Sequence, residues 1–208
     1  MSARIERLVT SGTFSLDGGT WDVDNNVWIV GDDDEVIVID PAHDPDEIAT
    51  AVGRRTVRAI LLTHGHDDHI RAAVDTGQLL RAPVLLNPLD RMLWDAVHDT
   101  APDGEISEGN TFTVAGIELV AVHTPGHSPG STCFVASTLG AVFTGDTLFQ
   151  GGPGATGRSY SDFPTIVASI RDRLLTLPED TVEYTGHGDT TTIAVEKPHL
   201  QEWIDRGH

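Results

Sequence analysis

A dense cluster of metal-binding side chains follows a strand-like run early in the sequence. The segment 64–69 holds three imidazoles and two carboxylates, and the apolar run 59–62 precedes it. Packing a hydrophobic core does not require this density of nitrogen and oxygen donors. Histidine and carboxylate are common ligands of divalent metals. The cluster therefore indicates a metal site between a buried strand and a helix predicted over 67–80.

The cysteine content limits how a metal could be held. Cys133 is the single cysteine, which excludes an internal disulfide and a site built from thiolates. Its apolar neighbours Phe134 and Val135 predict a small buried residue. Any metal is therefore expected to bind imidazole and carboxylate. At 208 residues the chain can bury a substantial core, and we expect residues 1–208 to form a single domain.

The net charge of the chain argues against some classes of binding partner. The formal net charge is −19 at pH 7, and we find no basic patch that would attract nucleic acid or an anionic membrane surface. The first residues lack the apolar centre of a signal peptide, and no apolar run approaches the roughly 18 residues of a membrane span. We expect a soluble, cytoplasmic protein that acts on a small molecule. The sequence leaves its oligomeric state open.

Strand-like and helical patterns run in two successive sets. We predict strands at 27–30, 36–39, 57–62, 82–86, 111–115, 117–122, 133–136, 141–144 and 182–185. Helical patterns occur at 44–54, 67–80, 88–97 and 164–177, with a short helical segment at the end. This order predicts an α/β fold in which helices cover the outside of two packed sheets.

Three further potential metal ligands lie at turns in the second half of the chain. His127 lies in a loop rich in Pro and Gly, Asp146 follows the strand predicted at 141–144, and His187 follows the strand at 182–185. Alone, such a histidine is more often structural, and such an aspartate is commonly a helix cap. Two metals need about seven or eight ligands. The cluster and the three donors supply seven, namely His64, His66, Asp68, His69, His127, Asp146 and His187.

These motifs together resemble a known family. The pattern Thr-His-x-His-x-Asp-His at 63–69 is followed by His-Thr-Pro-Gly-His at 123–127, Thr-Gly-Asp at 144–146 and Gly-His-Gly at 186–188. This set resembles the metallo-β-lactamase superfamily. The extended motifs at 123–131 and 144–149, together with Gly157-Arg158, most resemble glyoxalase II and short bacterial glyoxalase II-like hydrolases.

The resemblance implies a fold and a site. The implied fold is an αββα four-layer sandwich, with two packed mixed β-sheets and helices on both outer faces. It implies His64, His66 and His127 on one ion, Asp68, His69 and His187 on a second, and Asp146 bridging both. A bridging hydroxide would be the nucleophile, with Asp68 and Asp146 as catalytic proton acceptors. The cofactors would be two divalent ions, with zinc favoured and iron or manganese also suited to these ligands.

Other polar residues receive weaker assignments. Asp40 ends a strand, where it either hydrogen-bonds a ligand imidazole from outside the ligand set or caps a turn. Arg158 and Tyr160, in the loop after Asp146, are candidates for binding a substrate carboxylate. His43 and His98 lie in polar stretches, and His98 is predicted at the surface.

Several activities share such a site. We favour hydrolysis of a thioester such as S-lactoylglutathione, because a thiolate leaves without a strong acid. Lactone or β-lactam hydrolysis uses the same chemistry. A persulfide dioxygenase resembles the pattern too, with a single iron held by His64, His127 and Asp146. A non-catalytic scaffold would be indicated by a lost ligand, and no ligand is lost.

Overall fold

The computed structural model describes residues 2–207. Its strands are β1 (Arg4–Leu16), β2 (Gly19–Gly31), β3 (Glu35–Ile39), β4 (Thr56–Leu61), β5 (Val84–Leu86), β6 (Gly104–Glu105), β7 (Thr111–Val114), β8 (Ile117–His123), β9 (Thr132–Ala136), β10 (Ala141–Gly145), β11 (Leu148–Phe149), β12 (Gly152–Pro153), β13 (Val182–Thr185) and β14 (Thr191–Thr192). Its α-helices are α1 (Pro45–Val52), α2 (Asp67–Ile70), α3 (Ala73–Leu80), α4 (Arg91–Trp94), α5 (Phe163–Ser169), α6 (Ile193–Glu196) and α7 (Leu200–Arg206). A π-helical turn, Ile170–Leu174, continues α5.

Two mixed sheets form the centre of the fold. The first sheet has the order β1-β2-β3-β4-β5-β6, and the second has the order β14-β13-β10-β9-β8-β7. In the first sheet β1, β2 and β3 are antiparallel, whereas β3 to β6 run parallel. In the second sheet β10 and β13 are parallel, and the other neighbours are antiparallel. A small hairpin of β11 and β12 follows Asp146.

Three apolar layers separate the sheets and helices. The layer between the sheets includes Ile37 and Leu61 from the first sheet and Leu119 and Phe143 from the second. A second layer packs α1 and α3 on the first sheet, and a third packs α5, its π-helical turn and α7 on the second. Cys133 is buried in the third layer, as predicted. The predicted αββα four-layer sandwich is therefore confirmed.

The longest hairpin in the fold was missing from the sequence prediction. Strands β1 and β2 pair along 13 residues each, from Arg4 opposite Gly31 to Leu16 opposite Gly19. The turn between them is Asp17-Gly18, with φ of 52° and 78°. Asp-Gly is a strong signal for a two-residue hairpin turn. The predicted antiparallel pair at 27–30 and 36–39 is the end of this hairpin's second strand with β3.

Two predictions near the cluster need correction. The single helix predicted over 67–80 is two helices, α2 and α3, because the amide of Ala72 donates to Ala42 O across the gap instead of continuing the helix. His98, predicted at the surface, is half-buried. Its ring packs on Trp94, with centroids 4.3 Å apart, and its Nε2 contacts Ile70 O.

Glu183 is a buried acid on β13. Its side chain is fully buried, and among the described residues neither carboxyl oxygen has a hydrogen-bond partner. Burial, together with the nearby Glu196, raises the pKa of Glu183 from its ordinary value of 4.5 to about 8. The folded protein therefore holds a proton on this side chain at neutral pH.

We expect Glu183→Gln to change how stability depends on pH. The folded state keeps the proton of Glu183 where the unfolded state has lost it, so wild-type stability falls as pH rises from about 4.5 to about 8. Glutamine stays neutral, and it should match the wild type near pH 4 but exceed its free energy of unfolding by about 2–4 kcal/mol near pH 9. Urea unfolding across this pH range measures the difference. Glu118→Gln, at an exposed position on β8, is the control that should show no such trend.

No helix among the described residues is long and apolar enough to cross a membrane.

Candidate metal centre

The strand-end donors meet at one edge of the sandwich. His64 and His66 follow β4 of the first sheet, and Asp68 and His69 lie in α2. His127, Asp146 and His187 follow β8, β10 and β13 of the second sheet, which all end in the same direction. The sheets are joined here by the bond from Thr132 N to Thr63 O, 2.7 Å long. Residues distant in sequence are thus neighbours at this edge.

The donors fall into two groups with Asp146 between them. His64, His66 and His127 form one group, and Asp68, His69 and His187 form the other. In each group the donor atoms lie within 4.8 Å of one another, as do those of a third set, Asp40, His64 and His69, which shares one histidine with each group.

The two oxygens of Asp146 face ring nitrogens of both groups. Asp146 Oδ1 is 3.2 Å from His69 Nε2, and Oδ2 is 3.5 Å from both His127 Nε2 and His187 Nε2. A Cβ at Gly186 would lie 2.2 Å from Asp146 Oδ1 and 2.7 Å from His69 Cε1. Glycine is therefore required for this close approach.

Hydrogen bonds outside the groups fix the direction of the rings. His127 Nδ1 contacts Ala155 O at 2.9 Å, and His187 Nδ1 contacts Asp24 O at 2.7 Å. A ring nitrogen that faces a carbonyl oxygen carries the proton. In both residues Nε2 is therefore the nitrogen available to a metal ion, which at His187 would have to displace a proton.

Asp40 orients the cluster from behind. Its Oδ2 lies 3.0 Å from His69 Nδ1, and its carboxylate accepts bonds from both N and Oγ1 of Thr63. Asp40 has a φ of 51°, an unfavourable conformation that these bonds can maintain. Of the two roles left open from the sequence, the structure places Asp40 against the imidazole.

Asn25 and His43 were missed as neighbours of the centre. Asn25 Nδ2 donates to Asp68 Oδ2 at 3.0 Å, and Asn25 Oδ1 faces His43 Nε2 at 3.2 Å. All three side chains are buried. For Asn25 the available signal was a polar residue at a buried strand position, but it required the strand predicted at 27–30 to begin at Asn25 or earlier.

Burial and nearby charges give the histidines different protonation states. Burial lowers the pKa of His64 well below its ordinary value and that of His66 to about 3, which keeps both rings neutral. Burial also opposes charge on His187, but Asp146 and Asp68 outweigh it and raise its pKa to about 10. The carboxylates thus hold a positive charge in the second group, where a cation would compete with a proton.

Unpaired donor atoms provide a test of whether a metal fits. Among the described residues, His66 Nε2, His127 Nε2 and Asp68 Oδ1 are buried without a hydrogen-bond partner. Such atoms cost free energy unless another species satisfies them. Imidazole nitrogen and carboxylate oxygen suit zinc, iron and manganese. The donor set therefore fits divalent metal ions.

A cavity of about 290 Å³ opens onto both groups. Its walls carry Phe14 and Trp21 from the β1–β2 hairpin and Phe149 from β11. The guanidinium of Arg158 lies 3.9 Å from the ring centroid of Trp21 and 5.2 Å from that of Phe14. Its Nη1 is buried and has no hydrogen-bond partner among the described residues.

The other residue predicted to bind substrate, Tyr160, lies outside the cavity. Tyr160 is 56% exposed and is not part of the cavity wall, unlike its neighbours Ser159 and Ser161. Asp67 accepts a bond from Ser15 N and pairs with Arg71. The bond from Ser15 N to Asp67 joins the cluster to the hairpin.

The chain matches a family model over most of its length. Residues 20–187 match the model described as "Metallo-beta-lactamase superfamily". Hydroxyacylglutathione hydrolase GloC of Haemophilus influenzae is 32% identical over 189 residues, which cover 83% of this chain and 89% of that protein.

Two solved structures are similar in fold and sequence. BLEG-1 B3 metallo-beta-lactamase has a TM-score of 0.77 and 30% identity, covering 92% of this chain and 98% of that one. TTHA1623 in a di-iron-bound form has a TM-score of 0.76 and 31% identity, covering 84% of this chain and 93% of that one.

Proposed function

The chain belongs to the metallo-β-lactamase superfamily, and on that premise we propose that it is a metal-dependent hydrolase of thioesters such as S-lactoylglutathione. The observation that carries the proposal is the pair of ligand groups that share Asp146 at the base of the cavity. His64, His66 and His127 would hold one divalent ion, and Asp68, His69 and His187 the other. The similarity to a hydroxyacylglutathione hydrolase supports a thioester as substrate.

In the proposed reaction, the carboxylates of Asp68 and Asp146 take part in proton transfer. When bound, the two ions would acidify water and polarise the thioester carbonyl. Asp68 and Asp146 are the carboxylates that would accept the proton of the attacking water, and Asp68 Oδ1 is buried with no hydrogen-bond partner among residues 2–207. Asn25 holds the other oxygen of Asp68 at 3.0 Å, so the free oxygen keeps its direction. The water oxygen forms a bond to the acyl carbon, the C–S bond breaks with its electron pair on sulfur, and the thiolate leaves without protonation.

The cavity walls favour a substrate with an anionic end. Arg158 is held against Trp21 and Phe14, and its Nη1 has no partner among the described residues. A carboxylate is the natural partner of such a guanidinium. The carboxylates of a glutathione thioester would meet this requirement, with the acyl carbonyl at the base of the cavity.

We expect the zinc-loaded protein to release free thiol from S-lactoylglutathione. A neutral thioester, the ethyl thioester of lactate, should be cleaved with a KM about 10–100-fold higher, because it lacks the partner of Arg158. A thiol-reactive dye measures release for both, and metal analysis of the same sample should give about two ions per chain. A protein with bound ions that cleaves neither thioester would refute the proposal.

A β-lactam is the second candidate substrate, because BLEG-1 B3 metallo-beta-lactamase is similar over nearly the whole chain. The same sample should therefore be tested with a chromogenic cephalosporin. Faster cleavage of the cephalosporin than of S-lactoylglutathione would favour this second function.

A further inference from the structure

Asp90 is a fully buried carboxylate beside the metal centre that is not itself among the donor groups. It ends the 3₁₀ turn Pro88–Asp90, immediately before α4. From the sequence it was only part of a predicted helix over 88–97. A buried carboxylate needs several strong hydrogen bonds to be tolerated, and the identity of its partners is informative.

The carboxylate of Asp90 bonds to two ligand loops at once. Its Oδ2 accepts from Gly65 N at 2.8 Å, and Gly65 lies between His64 and His66. The same oxygen accepts from Ser128 Oγ at 2.6 Å, and Oδ1 accepts from Gly130 N at 2.5 Å. Ser128 directly follows His127 in the second loop. One side chain therefore joins the loops that carry the whole first donor group.

The packing leaves little freedom for either loop to move relative to Asp90. A Cβ at Gly65 would lie 2.9 Å from Asp90 Cβ, and a Cβ at Gly130 would lie 2.7 Å from Asp90 Cγ. Both loops therefore contact Asp90 directly, through backbone that has no side chain. A change in the charge or shape of this carboxyl group would change the spacing between His66 and His127.

The second donor group is oriented by different residues. Asp68 is held by Asn25, His69 by Asp40 and His187 by the backbone oxygen of Asp24. None of these bonds includes Asp90. The effect of Asp90 should therefore be confined to one of the two groups.

We propose that Asp90 is a positioning residue that sets the geometry of the first ion site, formed by His64, His66 and His127, and not of the second. The proposal rests on the proposed function, because it assumes that both groups bind metal. It adds a side chain from a third segment of the chain, 25 residues after Gly65 and 40 before Gly130.

Zinc titration of Asp90→Asn tests the proposal. Asparagine has the same shape, but it replaces one acceptor oxygen with an NH₂ group that faces an N–H or O–H donor. We expect the affinity for one of two zinc ions to fall about 10–100-fold, as is typical for partners of metal ligands, while the other is retained. Competition with a chromogenic chelator measures both affinities. His66→Ala removes a ligand of the first group and should lose the same ion. It therefore shows which binding step of the zinc titration belongs to the first group.

Two further variants separate positioning from a general loss of stability. Glu196→Gln is the matched control, since Glu196 is also buried and accepts from a hydroxyl, Thr191 Oγ1, and a backbone amide, Gly151 N. It should bind both zinc ions as the wild type does. Ser128→Ala removes one bond to Asp90 and should weaken the same ion by a smaller factor. This variant decides the question if Asp90→Asn does not fold.

The outcomes are distinct. Two zinc ions bound with wild-type affinity by Asp90→Asn would overturn the inference alone, as would equal weakening of both ions. A wild-type protein that binds no zinc, iron or manganese would overturn the proposed function and the inference with it.

Discussion

Asp146→Asn is expected to lower kcat/KM for thiol release by about 10³-fold or more, equivalent to about 4 kcal/mol of transition-state stabilisation. Asp146 lies between the two donor groups, with its oxygens 3.2–3.5 Å from ring nitrogens of His69, His127 and His187. Asparagine offers one oxygen, so it can serve one group but not both. The bound metal per chain should fall in parallel, which metal analysis of the purified variant measures.

The exposed residue Asp180 provides the control for Asp146. Asp180→Asn, in the turn before β13, makes the same change of charge away from the donors. It should keep activity within about twofold, as expected for a surface substitution. If Asp146→Asn retained wild-type metal content and kcat/KM, Asp146 would have no role in the centre.

Removing the metal is expected to abolish thiol release, with a loss of about 10³-fold or more. The hydroxyl groups of the cavity wall cannot replace it. Ser159 Oγ donates to Asp17 and Ser161 Oγ donates to Arg158 O, so neither hydroxyl is paired with an imidazole base. Dialysis against a chelator, followed by the thiol assay, measures the loss. Zinc, iron or manganese added back should restore the rate.

Magnesium is the matched control for metal add-back, because it should not restore the rate of thiol release. It prefers oxygen ligands in octahedral geometry, whereas this centre is rich in imidazole.

The melting temperature is a second measurement of metal binding. Because the donors come from both sheets, ion binding should stabilise the folded state by about 4 kcal/mol at a free concentration 1,000 times Kd. Full activity in the chelated, metal-free protein would contradict the proposed reaction.

The sequence predicted the parts of the fold that are encoded locally. Strands such as β4 and β10 are short, mostly apolar runs followed by turn residues, so the strands and the donors beyond their ends were visible. The β1–β2 hairpin was missed because much of β1 is only partly buried and its side chains are mixed in polarity. The break between α2 and α3 depends on Ala42, 30 residues before Ala72, and no local pattern encodes it.

In the candidate centre too, the local sequence predicts some features, whereas others depend on residues distant in sequence. The donors were predictable because their types and spacing define the chemistry, and the structure gathers them at one edge. The residues that orient them were harder to predict. Asn25 and Asp90 act on donors far away in sequence, and each is an ordinary polar residue in its own segment. Only the packing of β2 and of the 3₁₀ turn at Pro88–Asp90 against the ligand loops identifies their partners.

The outer end of the β1–β2 hairpin carries part of the cavity wall and none of the seven candidate metal ligands. Its turn is fastened to the loop after β12 by the bonds from Ser159 to Asp17, and Phe14 and Trp21 on its strands line the cavity. The ion donors lie on other segments. Evolution can therefore replace Phe14 or Trp21, and so change the shape of the cavity, without changing a candidate metal ligand. A superfamily built this way can change its substrates while it keeps the same metal ligands.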